Sequence, residues 1–80
     1  MKIIEMYGCT KSVYYFGLNL EVPEWTKYIA VDEYGNLYCF DDENRPWATI
    51  DGFWDTDGKQ ELLAKVDLES ADWNLTLMTY

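Results

Sequence analysis

At 80 residues and a net charge of −9, the chain has room for one domain and presents a surface that repels free nucleic acid. Its 49% hydrophobic and 18% aromatic content excludes a disordered acidic tail. There is no histidine, which removes the usual general base and the commonest metal ligand.

The charge is uneven. From residue 21 to 61 there are eleven Asp or Glu against three Lys or Arg, so this middle half carries −8 of the total. Such an electronegative surface favours a basic partner. No run approaches the roughly 20 apolar residues that span a bilayer. Glu5 and Lys11 interrupt any signal-peptide core at the start. Two cysteines, Cys9 and Cys39, do not make a disulfide framework and are expected as reduced thiols. The expected compartment is the cytoplasm.

In chain order, period-two alternation first marks residues 13–22 as a strand. Tyr14, Phe16, Leu18, Leu20 and Val22 share one face, with Gly17 and Asn19 allowing a bend or bulge and Pro23 ending the run. A hairpin follows, pairing residues 28–32 with 37–40 across Glu33-Tyr34-Gly35-Asn36. Gly35 and Asn36 supply the tolerance of positive φ that such a turn needs.

Residues 41–45 form a polar loop closed by Pro46, and residues 47–54 read as another strand. Asp55-Thr56-Asp57-Gly58 is a second tight turn. Residues 60–68 fit either a strand or a helix, with strand preferred because every earlier unit is one. Near the end, Ser70 can cap a short helical turn that stacks Trp73 and Leu77, or the tail can be a last strand. The expected fold is mainly β, with α+β as the alternative. It would be a small antiparallel sheet or partly closed barrel of four to six strands with a short C-terminal helical turn, in one domain spanning residues 1–80.

The chemistry-bearing candidates are few. Aligning Gly58 with the invariant glycine of a calcium loop puts Phe53 and Ala64 at ligand positions, which excludes an EF-hand. A looser cation site from Asp51, Asp55 and Asp57 is weaker than a solvated turn, and no metal or cofactor is expected. Cys9 and Cys39 lack an activating base, and no glycine-rich phosphate loop or C-x-x-C is present, so an enzyme is not expected. Aromatic strands can stack bases, but six Lys or Arg make no basic groove.

The acidic turns remain. Glu33, Asp41, Asp42, Glu43, Asp55 and Asp57 all fall where side chains are exposed. Their plain reading is solubility. Their functional reading is a docking surface whose carboxylates accept bonds from arginines that otherwise hold phosphates. Tyr34, Trp47 and Trp54 lie beside these acids as candidate aromatic anchors, although the two tryptophans fit a core better than an anchor, and Tyr34 alone is expected to be exposed by its turn.

Trp25-Thr26-Lys27-Tyr28-Ile29-Ala30-Val31-Asp32, Gly35 and Tyr38-Cys39-Phe40 give the pattern W-x-x-Y-I-A-V-D-x-x-G-x-x-Y-x-F. With Asp57-Gly58, Val66-Asp67-Leu68 and Asp72-Trp73 further on, residues 25–73 resemble small acidic phage and prophage accessory proteins. The resemblance implies context more than chemistry. Short acidic phage proteins often disable restriction enzymes, CRISPR complexes or DNA-repair factors, and many imitate the charge of DNA. The expected function is therefore a stoichiometric inhibitor that binds the basic surface of a host defence protein in the infected cell, as a monomer or small oligomer without touching nucleic acid. The alternatives are a self-associating phage assembly module and a small-ligand binder.

Overall fold

A computed structural model describes residues 10–41 and 45–80, which form a mainly β protein of small antiparallel sheets. The central sheet has the order β7-β4-β3-β8, built from Gln60–Lys65, Asn36–Phe40, Tyr28–Val31 and Met78–Thr79. Strand β3 lies inside this sheet, and three of its four residues are buried, because both sheet faces are covered. Alternation sends Ile29, Val31, Leu37 and Cys39 to one face and Ala30 and Phe40 to the other.

The first face is covered by a hairpin of β1 (Thr10–Tyr15) and β2 (Leu18–Pro23). Tyr15 and Val22 are its buried contacts, with Val13 and Leu20 packed beside them. The expected single strand over residues 13–22 is thus corrected to a full chain reversal. Phe16 and Gly17 both have positive φ, 43° and 83°, in the manner of the two-residue turn that matches strand twist. A two-residue loop pairs Tyr15 with Leu18, so the inward face switches from odd to even numbers across it.

The second face is covered by a smaller hairpin, β5 (Trp47–Ala48) with β6 (Trp54–Asp55), and by a 3₁₀ turn at Trp73–Leu75. The strand expected over residues 47–54 is therefore also a reversal. Thr49 closes it: its N–H donates to the Phe53 carbonyl at 2.9 Å, and its hydroxyl donates to the same oxygen at 3.0 Å. Trp54 donates its indole N–H to the Val31 carbonyl at 2.9 Å and meets Trp73 edge to face, with centroids 5.9 Å apart. Asp72, not Ser70, caps the 3₁₀ turn by accepting from the Asn74 N–H, and Leu77 packs on the same cluster from beyond the turn.

The hairpin expected at residues 28–40 forms as read, and residues 60–65 are a strand. The sheet stays open, with β7 and β8 at its edges, so the barrel alternative gives way. The two reversals raise the number of strands among the described residues to eight, above the expected six; those of the first are six residues long and those of the second two. Cys39 is a free, buried thiol; Cys9 lies outside the described residues. No helix of the described residues is long and apolar enough to cross a membrane.

Candidate functional site

The β3–β4 turn is built by a single carboxylate. Asp32 is 3% exposed, and its Oδ1 accepts the N–H groups of Tyr34 and Asn36, both at 2.9 Å. Its Oδ2 accepts the Asn36 side-chain amide at 3.1 Å. With Asp32 occupied in this way, the next two residues, Glu33 and Tyr34, are held outward in fixed positions. Tyr34 is 60% exposed, as its place in the turn predicts.

Two other segments converge on this turn. The Glu33 N–H donates to the Gly52 carbonyl at 2.8 Å, and the Tyr34 hydroxyl reaches the Asp51 carbonyl at 3.4 Å. Gly52 has φ 91°, and a Cβ there would collide with the Glu33 carboxylate, so the close approach requires glycine. On the other side, the Val66 N–H donates to the Gly35 carbonyl at 2.7 Å. That bond draws the chain leaving β7 against the turn. Glu33, Tyr34, Lys65, Asp67 and Glu69 then line one shallow groove of about 680 Å³.

The result is an acidic end to the sheet. Glu33, Asp67 and Glu69 are exposed along the groove with Tyr34, Asp51 is exposed where its carbonyl meets the Tyr34 hydroxyl, and among the described residues Lys65 is the cation of the lining. Sequence reading singled out Glu33 and Tyr34 but missed Asp67 and Glu69 and gave Asp51 only a weak cation role. What gathers them is the pairing of β7 with β4, which brings residues distant in sequence to one turn.

The remaining candidates lie elsewhere. Asp41 is half-buried at the opposite end of β4, roughly 15 Å away by strand rise, with its N–H bonded to the Lys59 carbonyl at 3.1 Å. Its carboxylate lies against Gly58. Asp42 and Glu43 fall outside the described residues. Asp57 is exposed in the connection from β6 to β7. Asp55 is exposed on β6, opposite Trp47, which is 44% exposed and lines a groove with Arg45 and Leu77. Trp54 is 8% exposed and belongs to the core, which corrects its reading as a surface anchor.

Chemically, this arrangement offers acceptors and aromatic surface. Among the described residues no three Asp, Glu or Cys side chains gather closely enough to hold a metal ion, Asp51, Asp55 and Asp57 included. With extents of 43 × 29 × 17 Å, the molecule is thin, and its described grooves are open. No protein-family model, curated protein or solved structure matches the chain.

Proposed function

We propose that this protein is a non-catalytic, stoichiometric inhibitor that docks its acidic surface on the basic, nucleic-acid-binding face of a host defence protein. The observation that carries the reading is the set of four exposed carboxylates, Glu33, Asp51, Asp67 and Glu69, near the exposed Tyr34. Acceptors held on a sheet end suit the arginines of a phosphate-binding channel, and Tyr34 supplies apolar contact at low entropic cost. The resemblance of residues 25–73 to phage accessory proteins supports the phage context, and the cytoplasm of an infected cell is the place such an inhibitor would act.

The test is capture from host lysate at low and moderate salt, followed by kinetics with the captured protein. Reversing Glu33 and Asp51 to Lys should slow association by about tenfold or more and flatten its salt dependence. The same reversal at Asp41, Asp42 and Glu43 tells whether the far end of β4 shares the contact. Unchanged binding after both reversals would sink the acidic-surface reading.

A second reading, self-association, rests on a different observation. Strand β7 is an outer strand of the central sheet, and its Leu62 is 56% exposed. Sedimentation separates the two: a stable closed oligomer with no host partner favours assembly.

A further inference from the structure

A second groove lies beside the acidic end, between the tip of the β1–β2 hairpin and the chain from Val66 to Thr76. Its volume of about 630 Å³ falls within the roughly 300–1,000 Å³ typical of ligand clefts. Phe16, Leu18, Leu68 and Leu75 form its apolar lining. Phe16 is 61%, Leu75 75% and Leu18 42% exposed, so three of the large apolar side chains that the fold leaves in water lie together in this one groove.

The floor is fixed in advance. The Tyr15 hydroxyl donates to the Thr76 carbonyl at 2.7 Å, and the Val31 N–H donates to the Thr76 hydroxyl at 3.0 Å. These bonds tie the hairpin, the sheet and the C-terminal chain together beneath the groove.

Its rim is charged with one sign. Asp67, Glu69 and Asp72 line it, and among the described residues no lysine or arginine does. Two of the three are oriented by their own backbone: Asp67 Oδ1 accepts the Glu69 N–H at 2.8 Å, and Asp72 Oδ1 accepts the Asn74 N–H at 3.2 Å. An apolar trough edged with carboxylates repels phosphates, fatty-acid headgroups and a second copy of so acidic a chain. It complements an apolar side chain flanked by cations.

We propose that this groove receives a cationic, amphipathic segment of the partner protein, which seats a bulky apolar side chain against Phe16 and Leu75 while Lys or Arg residues reach Asp67, Glu69 and Asp72. The inference rests on the reading that the protein docks on a basic partner, and it moves the centre of that contact from the Tyr34 end to the groove.

The experiment is a ¹⁵N NMR titration with a synthetic amphipathic helix of leucine, lysine and alanine. Two control peptides replace its lysines with glutamate or its leucines with serine. Shifts should concentrate at residues 16–18 and 67–75, and neither control should bind. Neutralising the rim (Asp67→Asn, Glu69→Gln, Asp72→Asn) keeps the capping oxygens and should weaken binding about tenfold, as should Leu75→Ser at an exposed position. Glu24→Gln with Glu61→Gln, exposed positions that line neither groove, should change it by less than about twofold. Shifts centred on Tyr34 and Asp51 would overturn the groove and leave the basic-partner reading standing. No binding of the cationic peptide at low salt would remove both.

Discussion

Tyr15 ends β1 with its ring in the core and its hydroxyl bonded to the Thr76 carbonyl. Burial disfavours the charged phenolate, so the group is pushed well above the ordinary phenol range. Burial moves Cys39 and Tyr80 in the same direction. The sign of the consequence follows from proton counting. Below roughly pH 10 the Tyr15 hydroxyl is protonated in both states and stability does not depend on it. Above that, the unfolded chain gives up a proton that the fold retains, so stability falls as pH rises, by up to about 1.4 kcal/mol per pH unit for each such group. Tyr15→Phe should therefore cost about 1 kcal/mol at neutral pH through the lost hydrogen bond, and lose less on going alkaline. Urea unfolding from neutral pH to about pH 11 checks this: the two stability curves should converge, and parallel curves would show that Tyr15 does not govern the alkaline limb. The Cys39 thiol, present in both proteins, begins the shared part of the decline at lower pH.

Among elements, the β1–β2 hairpin separates what was legible from what was not. The turn at residues 33–36 announces itself through Gly35, which takes positive φ, whereas Asn36 opens β4 without it and Asp32, the carboxylate that builds the turn, falls within the strand expected over residues 28–32. The Phe16-Gly17 turn does not announce itself, because apolar residues alternate on both sides of it and Phe16 stands where Asn or Asp is usual. Only the pairing of Tyr15 with Leu18 reveals the switch in parity. The 49–53 reversal does carry a turn signal, Asp51-Gly52, with Gly52 at φ 91° and its N–H donated to the Thr49 carbonyl at 3.3 Å, but the alternation across residues 47–54 masks it. Phe16 sits at φ 43°, a conformation that costs an L residue about 1–2 kcal/mol. Its edge-to-face contact with Tyr15, centroids 4.8 Å apart, returns only the lower part of the usual 0.5–1.5 kcal/mol because the ring is largely in water. Phe16→Asn should accordingly raise stability by about 0.5 kcal/mol, or about 2–4 °C in Tm, whereas Phe16→Leu keeps the strain, loses the contact and should lower it. If the peptide titration also weakens in Phe16→Asn, the aromatic at the turn is retained for binding at a small cost in stability. Equal melting of the three proteins would show that the turn is not strained.

For the whole molecule, charge is the property most readily read from the sequence, while its arrangement is not. Turn chemistry places Glu33, Tyr34 and Asp57 in the open as expected, Asp55 is exposed on a strand instead, and Asp41 is corrected to half-buried; the gathering of Asp51, Asp67 and Glu69 near Tyr34 depends on where Gly52 and Val66 are bonded. A net charge of −9 on so small a body repels itself, and the same field attracts a basic partner. Salt screens both interactions, and the two consequences have opposite signs. Raising NaCl from low to moderate concentration should increase the free energy of unfolding while it slows association with the partner or the cationic peptide. Glu33→Lys with Asp51→Lys should reduce both slopes together, since the same two carboxylates feed both. Chemical denaturation with urea, which adds no ionic strength, measures the first; stopped-flow mixing measures the second. A stability that falls with salt would mean that the carboxylates are already compensated by lysines and arginines of the same chain. The acidic end would then have little field left to steer a partner, and apolar contact in the groove would have to carry recognition.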